Sequence, residues 1–128
     1  MPTAKIFGLR ESLEPVRDAL SDALHECVVD ALKFPPEKRL QRFFLMDREN
    51  FRFPASFTDR YTIIEISQFE GRSVETIKDL VRQIYERVPK ATGIPKECID
   101  VTVFETPRHA WGLNGRSGDE PLPYKVAV

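Results

Sequence analysis

Tyr61-Thr62-Ile63-Ile64-Glu65-Ile66-Ser67 runs through Gln68-Phe69-Glu70 into Gly71-Arg72-Ser73, and then into a long apolar-periodic stretch. In the first segment Ile64 and Ile66 are interleaved with Thr62, Glu65 and Ser67, and Ile63 interrupts a strict period; the pattern predicts a strand. Beyond the glycine turn, Ile77, Leu80, Val81, Ile84, Tyr85 and Val88 recur at the spacing of one helix face, with Ser73 at the helix start. Pro89 lacks an N–H and is predicted to kink or end that helix early, with Gly93 as the stop. Cys98 to Glu105 reads as a second strand. A strand, a helix and a strand make one βαβ unit over about 60–105.

The chain upstream repeats this plan. Thr3-Ala4-Lys5-Ile6-Phe7-Gly8-Leu9 is an apolar strand, and Ser12 is predicted to cap a helix that is entered through Pro15 and runs to about Leu32. Val16, Ala19, Leu20, Ala23, Leu24, Cys27, Val28 and Ala31 supply its buried face. Pro35-Pro36 end it, and Leu40 to Met46 reads as a strand, so a first unit covers about 2–47. Phe34-Pro35-Pro36-Glu37 recurs as Ile94-Pro95-Lys96-Glu97, which marks the two units as echoes. Right-handed crossovers make each strand pair parallel. The expected class is α+β: tandem βαβ units with a pseudo-two-fold, a four-stranded mixed sheet and both helices on one face, in a single domain over 1–128. The other face is expected to be apolar and covered by oligomerisation.

Two segments fall outside the repeat. Asp47 to Asp59 is irregular and aromatic, with Phe51, Phe53 and Phe57. In the tail, 106–128, Pro107 to Pro123 is expected to be irregular, with room for a short hairpin or a single helical turn. Tyr124-Lys125-Val126-Ala127-Val128 is apolar enough to add an edge strand.

Composition bounds the function. The 128 residues are 41% hydrophobic, with 19 basic and 20 acidic side chains and a net charge of −1. That balance gives no general attraction to nucleic acid or anionic membranes. Lys38-Arg39 and Arg42 lack the interleaved aromatics of a nucleic-acid platform. There is no apolar run of membrane-spanning length and no basic-then-apolar leader, so a soluble cytoplasmic protein is expected. Two cysteines, Cys27 and Cys98, make neither a disulfide framework nor a metal site, and Cys27 reads as a small core hydrophobe. His25 reads as a structural, hydrogen-bonded histidine, and His109 as a surface residue.

Pro2 carries the most chemistry. A prolyl side chain permits removal of Met1, which would leave a secondary amine at the start of the first strand. An α-amino group titrates near ~8, so desolvation or a nearby cation makes it a base at neutral pH. Arg72 sits where a strand ends and a helix begins. There its guanidinium and the helix-start N–H groups suit a carboxylate.

Taken in order, Pro2, Asp22-Ala23-Leu24-His25, Pro35 through Gln41, Glu70-Gly71-Arg72-Ser73 and Glu105 through Leu113 resemble the tautomerase superfamily. The similarity is to its longer, duplicated branch, which includes malonate semialdehyde decarboxylase. The resemblance implies a homotrimer with sites near subunit boundaries. It also implies small keto, enol or unsaturated carboxylic acids as substrates, and no metal or organic cofactor. Pro2 and Arg72 are then the catalytic residues, and Arg39, Trp111 and Phe69 are candidate substrate contacts. Two positions depart from the decarboxylase pattern: Lys38 stands where that pattern has an acid, and Phe69 or Gln68 where it has an arginine. A proton-shuffling tautomerase therefore leads. β-Keto acid decarboxylation, hydration of an unsaturated acid, and a non-catalytic binding member of the fold are the alternatives.

Overall fold

The computed structural model describes residues 2–121. Four strands, β1 (Thr3–Leu9), β2 (Gln41–Met46), β3 (Thr62–Phe69) and β4 (Ile99–Thr106), form one sheet in the order β2-β1-β3-β4. β1 pairs in parallel with β2, from Ala4–Gln41 to Leu9–Met46, and β3 with β4, from Thr62–Ile99 to Phe69–Thr106. The two units meet through the antiparallel β1–β3 pair, in which Thr3 opposes Ser67 and Ile6 opposes Ile64. This is the expected tandem βαβ arrangement.

Among the described residues three helices complete it: α1 (Arg10–Leu13), α2 (Arg17–Leu32) and α3 (Val74–Thr92). α2 and α3 lie side by side on one face of the sheet. Leu20, Leu24, Cys27, Leu80 and Ile84 pack there on Ile6, Ile64 and Ile66 in a single core. Burial pushes the Cys27 thiol up to about 12, so it is inert as a nucleophile and belongs to that core. The echo between the units is physical. Lys33 and Gly93 end the two helices in the left-handed region, at φ 54° and 78°. Phe34 and Ile94 are then both buried, and the turns close through Lys38 N–H to the Pro35 carbonyl (3.1 Å) and Cys98 N–H to the Pro95 carbonyl (2.9 Å).

Two expectations about helix ends are corrected. Ser12 does not cap the first long helix: it lies in α1 and donates its hydroxyl to the Asp59 carbonyl at 2.6 Å. Pro15 stands at the entry of the long helix as expected: it has no N–H to continue α1, and it lies in a 3₁₀ turn, Glu14–Val16, that leads directly into α2. Pro89 neither ends α3 nor shortens it, because it lies in the last turn and removes one hydrogen bond only; the Gly93 N–H still reaches the Pro89 carbonyl at 2.8 Å. Ser73 does cap α3, accepting from the Thr76 N–H at 3.1 Å.

The open face of the sheet is mixed rather than apolar. Phe7 and Phe44 stack on it with centroids 4.8 Å apart, but Lys5 lies between Arg42 and Glu65 in register. At one end of the sheet, Tyr61 is stacked on Phe57 and Phe51 and donates its hydroxyl to Asp100 at 2.5 Å, which anchors the aromatic excursion. At the other end the tail forms a small hairpin, β5 (Gly112–Leu113) with β6 (Arg116–Ser117), turned by Asn114-Gly115 at positive φ. The expected strand at 124–128 lies outside the described residues. No described helix is long and apolar enough to cross a membrane.

Candidate functional site

The strand directions collect the candidate residues at one end of the sheet. β1 starts there, β2 starts beside it, and β3 and β4 finish there. Pro2 is buried just before the Thr3–Ser67 pair, and Gln68 follows Ser67 on the neighbouring strand. Pro2 lines a recess on the helix side of the sheet with His25, Val28, Lys38, Gln41 and Ile66. Within one chain this recess is small, with a free volume of about 10 Å³, room for roughly one water.

His25 is 8% exposed and donates Nε2–H to the Pro36 carbonyl at 2.6 Å. It has the structural role its position suggested, and it ties the α2–β2 loop to α2. Lys38 was legible only as a departure from a pattern; the Ala4–Gln41 register is what carries it to the wall beside Pro2.

Arg72 lies between β3 and the capped start of α3, half-buried. Its Nη1 reaches Gln68 Oε1 at 3.5 Å, a long contact. Gln68 is fully buried, and its Nε2 has no hydrogen-bond partner among the described residues. A buried amide donor of this kind is uncommon. Gln68 thus links the strand beside Pro2 to the Arg72 guanidinium, a connection that sequence reasoning missed. Its only signal was the polar residue at a buried strand position.

The three other candidates are placed differently. Arg39 is exposed and engaged with Asp22 at 2.7 Å and Ser21 at 3.0 Å, outside the recess that the adjacent Lys38 lines. Phe69 is 1% exposed, with Trp111 edge-on at 5.2 Å and the Arg108 guanidinium 5.1 Å above its ring. It supports the tail instead of facing a ligand within the chain. Trp111 is half-buried and, with Ser67 and Thr106, lines a depression of ≈ 330 Å³ at the same end of the sheet. Ser67 and Gln68 point to opposite faces, so this depression and the Pro2 recess are separated by the sheet. His109 is exposed in the same tail.

A larger depression, ≈ 910 Å³, lies at the far end of the sheet among Arg10, Glu11, Glu14, Asp47, Arg48 and Glu49. Its cations are engaged with carboxylates: Arg10 with Asp47 at 3.6 Å, and Arg48 with Glu11 at 2.9 Å and Asp59 at 2.8 Å. No cluster of three or more metal-ligating side chains occurs among the described residues.

Comparison with known proteins points the same way. Residues 38–114 match the family model described as "Tautomerase enzyme". A probable tautomerase of Staphylococcus epidermidis is 39% identical over 59 residues, covering 45% of this chain and 97% of that protein. A probable tautomerase of Staphylococcus haemolyticus is 38% identical over 53 residues, covering 41% and 86%. Malonate semialdehyde decarboxylase superposes with a TM-score of 0.76 at 18% identity, over 89% of this chain and 92% of that one. An asymmetric trimer of wild-type fused 4-OT gives a TM-score of 0.80 at 19% identity, over 91% and 95%. At those identities the structural matches establish the fold.

Proposed function

The chain belongs to the tautomerase family, and from that premise we propose that it is a cofactor-independent enzyme that moves a proton on a small keto or enol carboxylic acid. The observation that carries this reading is the gathering of Pro2, Lys38 and, through Gln68, Arg72 at one end of the sheet. When the prolyl nitrogen is free, it takes the enol hydroxyl proton as the carbonyl forms, and the resulting pyrrolidinium returns a proton to carbon. Arg72, at the capped start of α3, anchors the substrate carboxylate. The buried surroundings of Pro2 favour the neutral amine by disfavouring its charged form.

The recess within one chain is too small for such an acid, so the active assembly is a homotrimer in which a neighbouring subunit completes the walls. The trimeric assembly of the fused 4-OT structure, which shares the fold, supports this reading. The test is enol-to-keto conversion by wild type, Pro2→Ala and Arg72→Ala, each prepared with a free amino-terminal residue at position 2. Losses in both variants are expected. Equal rates in all three would remove the proposal and favour a binding role.

A further inference from the structure

We propose that Ser21 and Gln41 are positioning residues, whose paired hydrogen bonds hold one wall of the Pro2 recess against α2. This role rests on the reading of Pro2 as the acid/base group, and adds what keeps that group aligned. Gln41 lines the recess with Pro2 and Ile66. It is the register partner of Ala4, which packs in the core beneath α2, so the Gln41 side chain is also on the helix side. There its amide is used twice. The Ser21 hydroxyl donates to Gln41 Oε1 at 2.5 Å, and Gln41 Nε2 donates to the Ser21 carbonyl at 3.0 Å. Arg39 Nη1, engaged with Asp22 at 2.7 Å, donates to the Ser21 hydroxyl oxygen at 3.0 Å and leaves that hydroxyl's proton for Gln41. Arg39, itself outside the recess, thereby acts on the wall through Ser21.

Ser21 and His25 lie one turn apart on the same face of α2. His25 grips the Pro36 carbonyl at 2.6 Å and Ser21 grips Gln41, so one helix face pins both ends of the segment 36–41. Between the pins, Lys38 and Leu40 line the recess. The Leu40 carbonyl also accepts from the Ala4 N–H at 3.0 Å, two residues along the chain from Pro2. The free space of about 10 Å³ leaves this wall little slack. A segment that drifts by about an ångström changes where the prolyl nitrogen stands against a substrate, and misplacement of that size costs up to about 10²-fold in rate. Arg72, the proposed anion anchor, is carried by β3 and α3 and not by this segment. Loosening the wall therefore acts on kcat and leaves KM in place.

The test uses protein with a free prolyl terminus, as wild type, Gln41→Met, Ser21→Ala and Ser21→Thr, with Asp59→Asn at the far end of the sheet as a control. Hydrogen exchange of the Ala4 amide, followed by NMR, reads the wall without any turnover. In Gln41→Met that amide is expected to exchange about 10-fold faster while amides of the β3–β4 pair keep their rates, because the opening is local. In the same variant kcat for enol–keto conversion is expected to fall about 10-fold, with KM within about two-fold. Ser21→Ala should move both readouts the same way by less, and Ser21→Thr, which keeps the hydroxyl, should match wild type; Asp59→Asn should keep the wild-type kcat. Unchanged Ala4 exchange in Gln41→Met overturns the inference, and so does equal acceleration across the whole sheet. Faster local exchange with an unchanged kcat also overturns it, as does a fall in kcat in Asp59→Asn as large as that in Gln41→Met. Faster Ala4 exchange in Gln41→Met, where wild type converts no enol, supports the clasp while removing the tautomerase reading.

Discussion

Pro2 and Arg72 divide the proposed chemistry between a proton carrier and an anion anchor, and each has its own kinetic signature. Replacing Pro2 by Ala substitutes a primary amine of different basicity and geometry, and kcat/KM is expected to fall by about 10²-fold or more. Arg72→Ala removes a charge-assisted bond and is expected to raise KM for a carboxylate substrate by about 10- to 100-fold, with Arg72→Lys recovering part of it. Steady-state kinetics on one enol acid, with each protein checked by circular dichroism, measures both; an unchanged KM in Arg72→Ala would place the anchor elsewhere. The sequence marked these two residues because a proline at a strand start and an arginine at a strand-to-helix turn are local patterns. Lys38 and Gln68 were not legible as site residues, since their nearness to Pro2 depends on strand register across the sheet. Phe69 was read as a substrate contact because nothing local says that the tail folds back and buries it beneath Trp111.

At the level of elements, the tail hairpin and the aromatic excursion hold the two ends of the sheet. A Cβ on Gly118 would lie 2.5 Å from the Arg108 carbonyl oxygen and 2.9 Å from the Phe69 ring, and backbone cannot yield as a flexible side chain does. Gly118→Ala is expected to destabilise the fold by about 1–3 kcal/mol, read as a lower denaturation midpoint together with altered Trp111 fluorescence; an unshifted midpoint would mean that the tail is not docked as described. The excursion is tied down by Arg48, which bonds both Asp59 oxygens, at 3.1 and 2.8 Å, and holds that carboxyl below its ordinary 3.8. A depressed folded-state value means that this contribution is present above about 3.8 and is lost as pH falls below it. Wild type should therefore lose more stability than Asp59→Asn between neutral pH and pH ~3, measured by urea denaturation; equal losses would show that the Arg48–Asp59 pair contributes nothing. Both long helices and all four main strands were readable from periodicity. The helix boundaries at Ser12 and Pro89 were not, because each turns on a contact: Ser12 with a carbonyl 47 residues away, and Pro89 with how much helix follows it.

For the molecule as a whole, tandem βαβ units leave a sheet face that no helix among the described residues covers. That face carries Phe7, Phe44 and Phe104 but also Lys5, Arg42 and Glu65. The face was expected to be apolar from the strands' Ile, Phe and Val, and the charges between them predict a partly polar subunit contact instead of a wholly apolar one. Light scattering at micromolar concentration is expected to give a trimer whose stability depends on salt, and a stable monomer would contradict the assembly. The central claim is that a free prolyl amine performs the chemistry. While Met1 remains attached, the Pro2 nitrogen is a tertiary amide with neither a basic lone pair nor a proton to give. The most direct measurement pairs the intact mass of the protein with its enol–keto turnover, on samples that retain Met1 and samples that lack it. Turnover is expected in the samples that lack Met1 and not in those that retain it; full turnover by protein of the Met1-retaining mass would contradict the account.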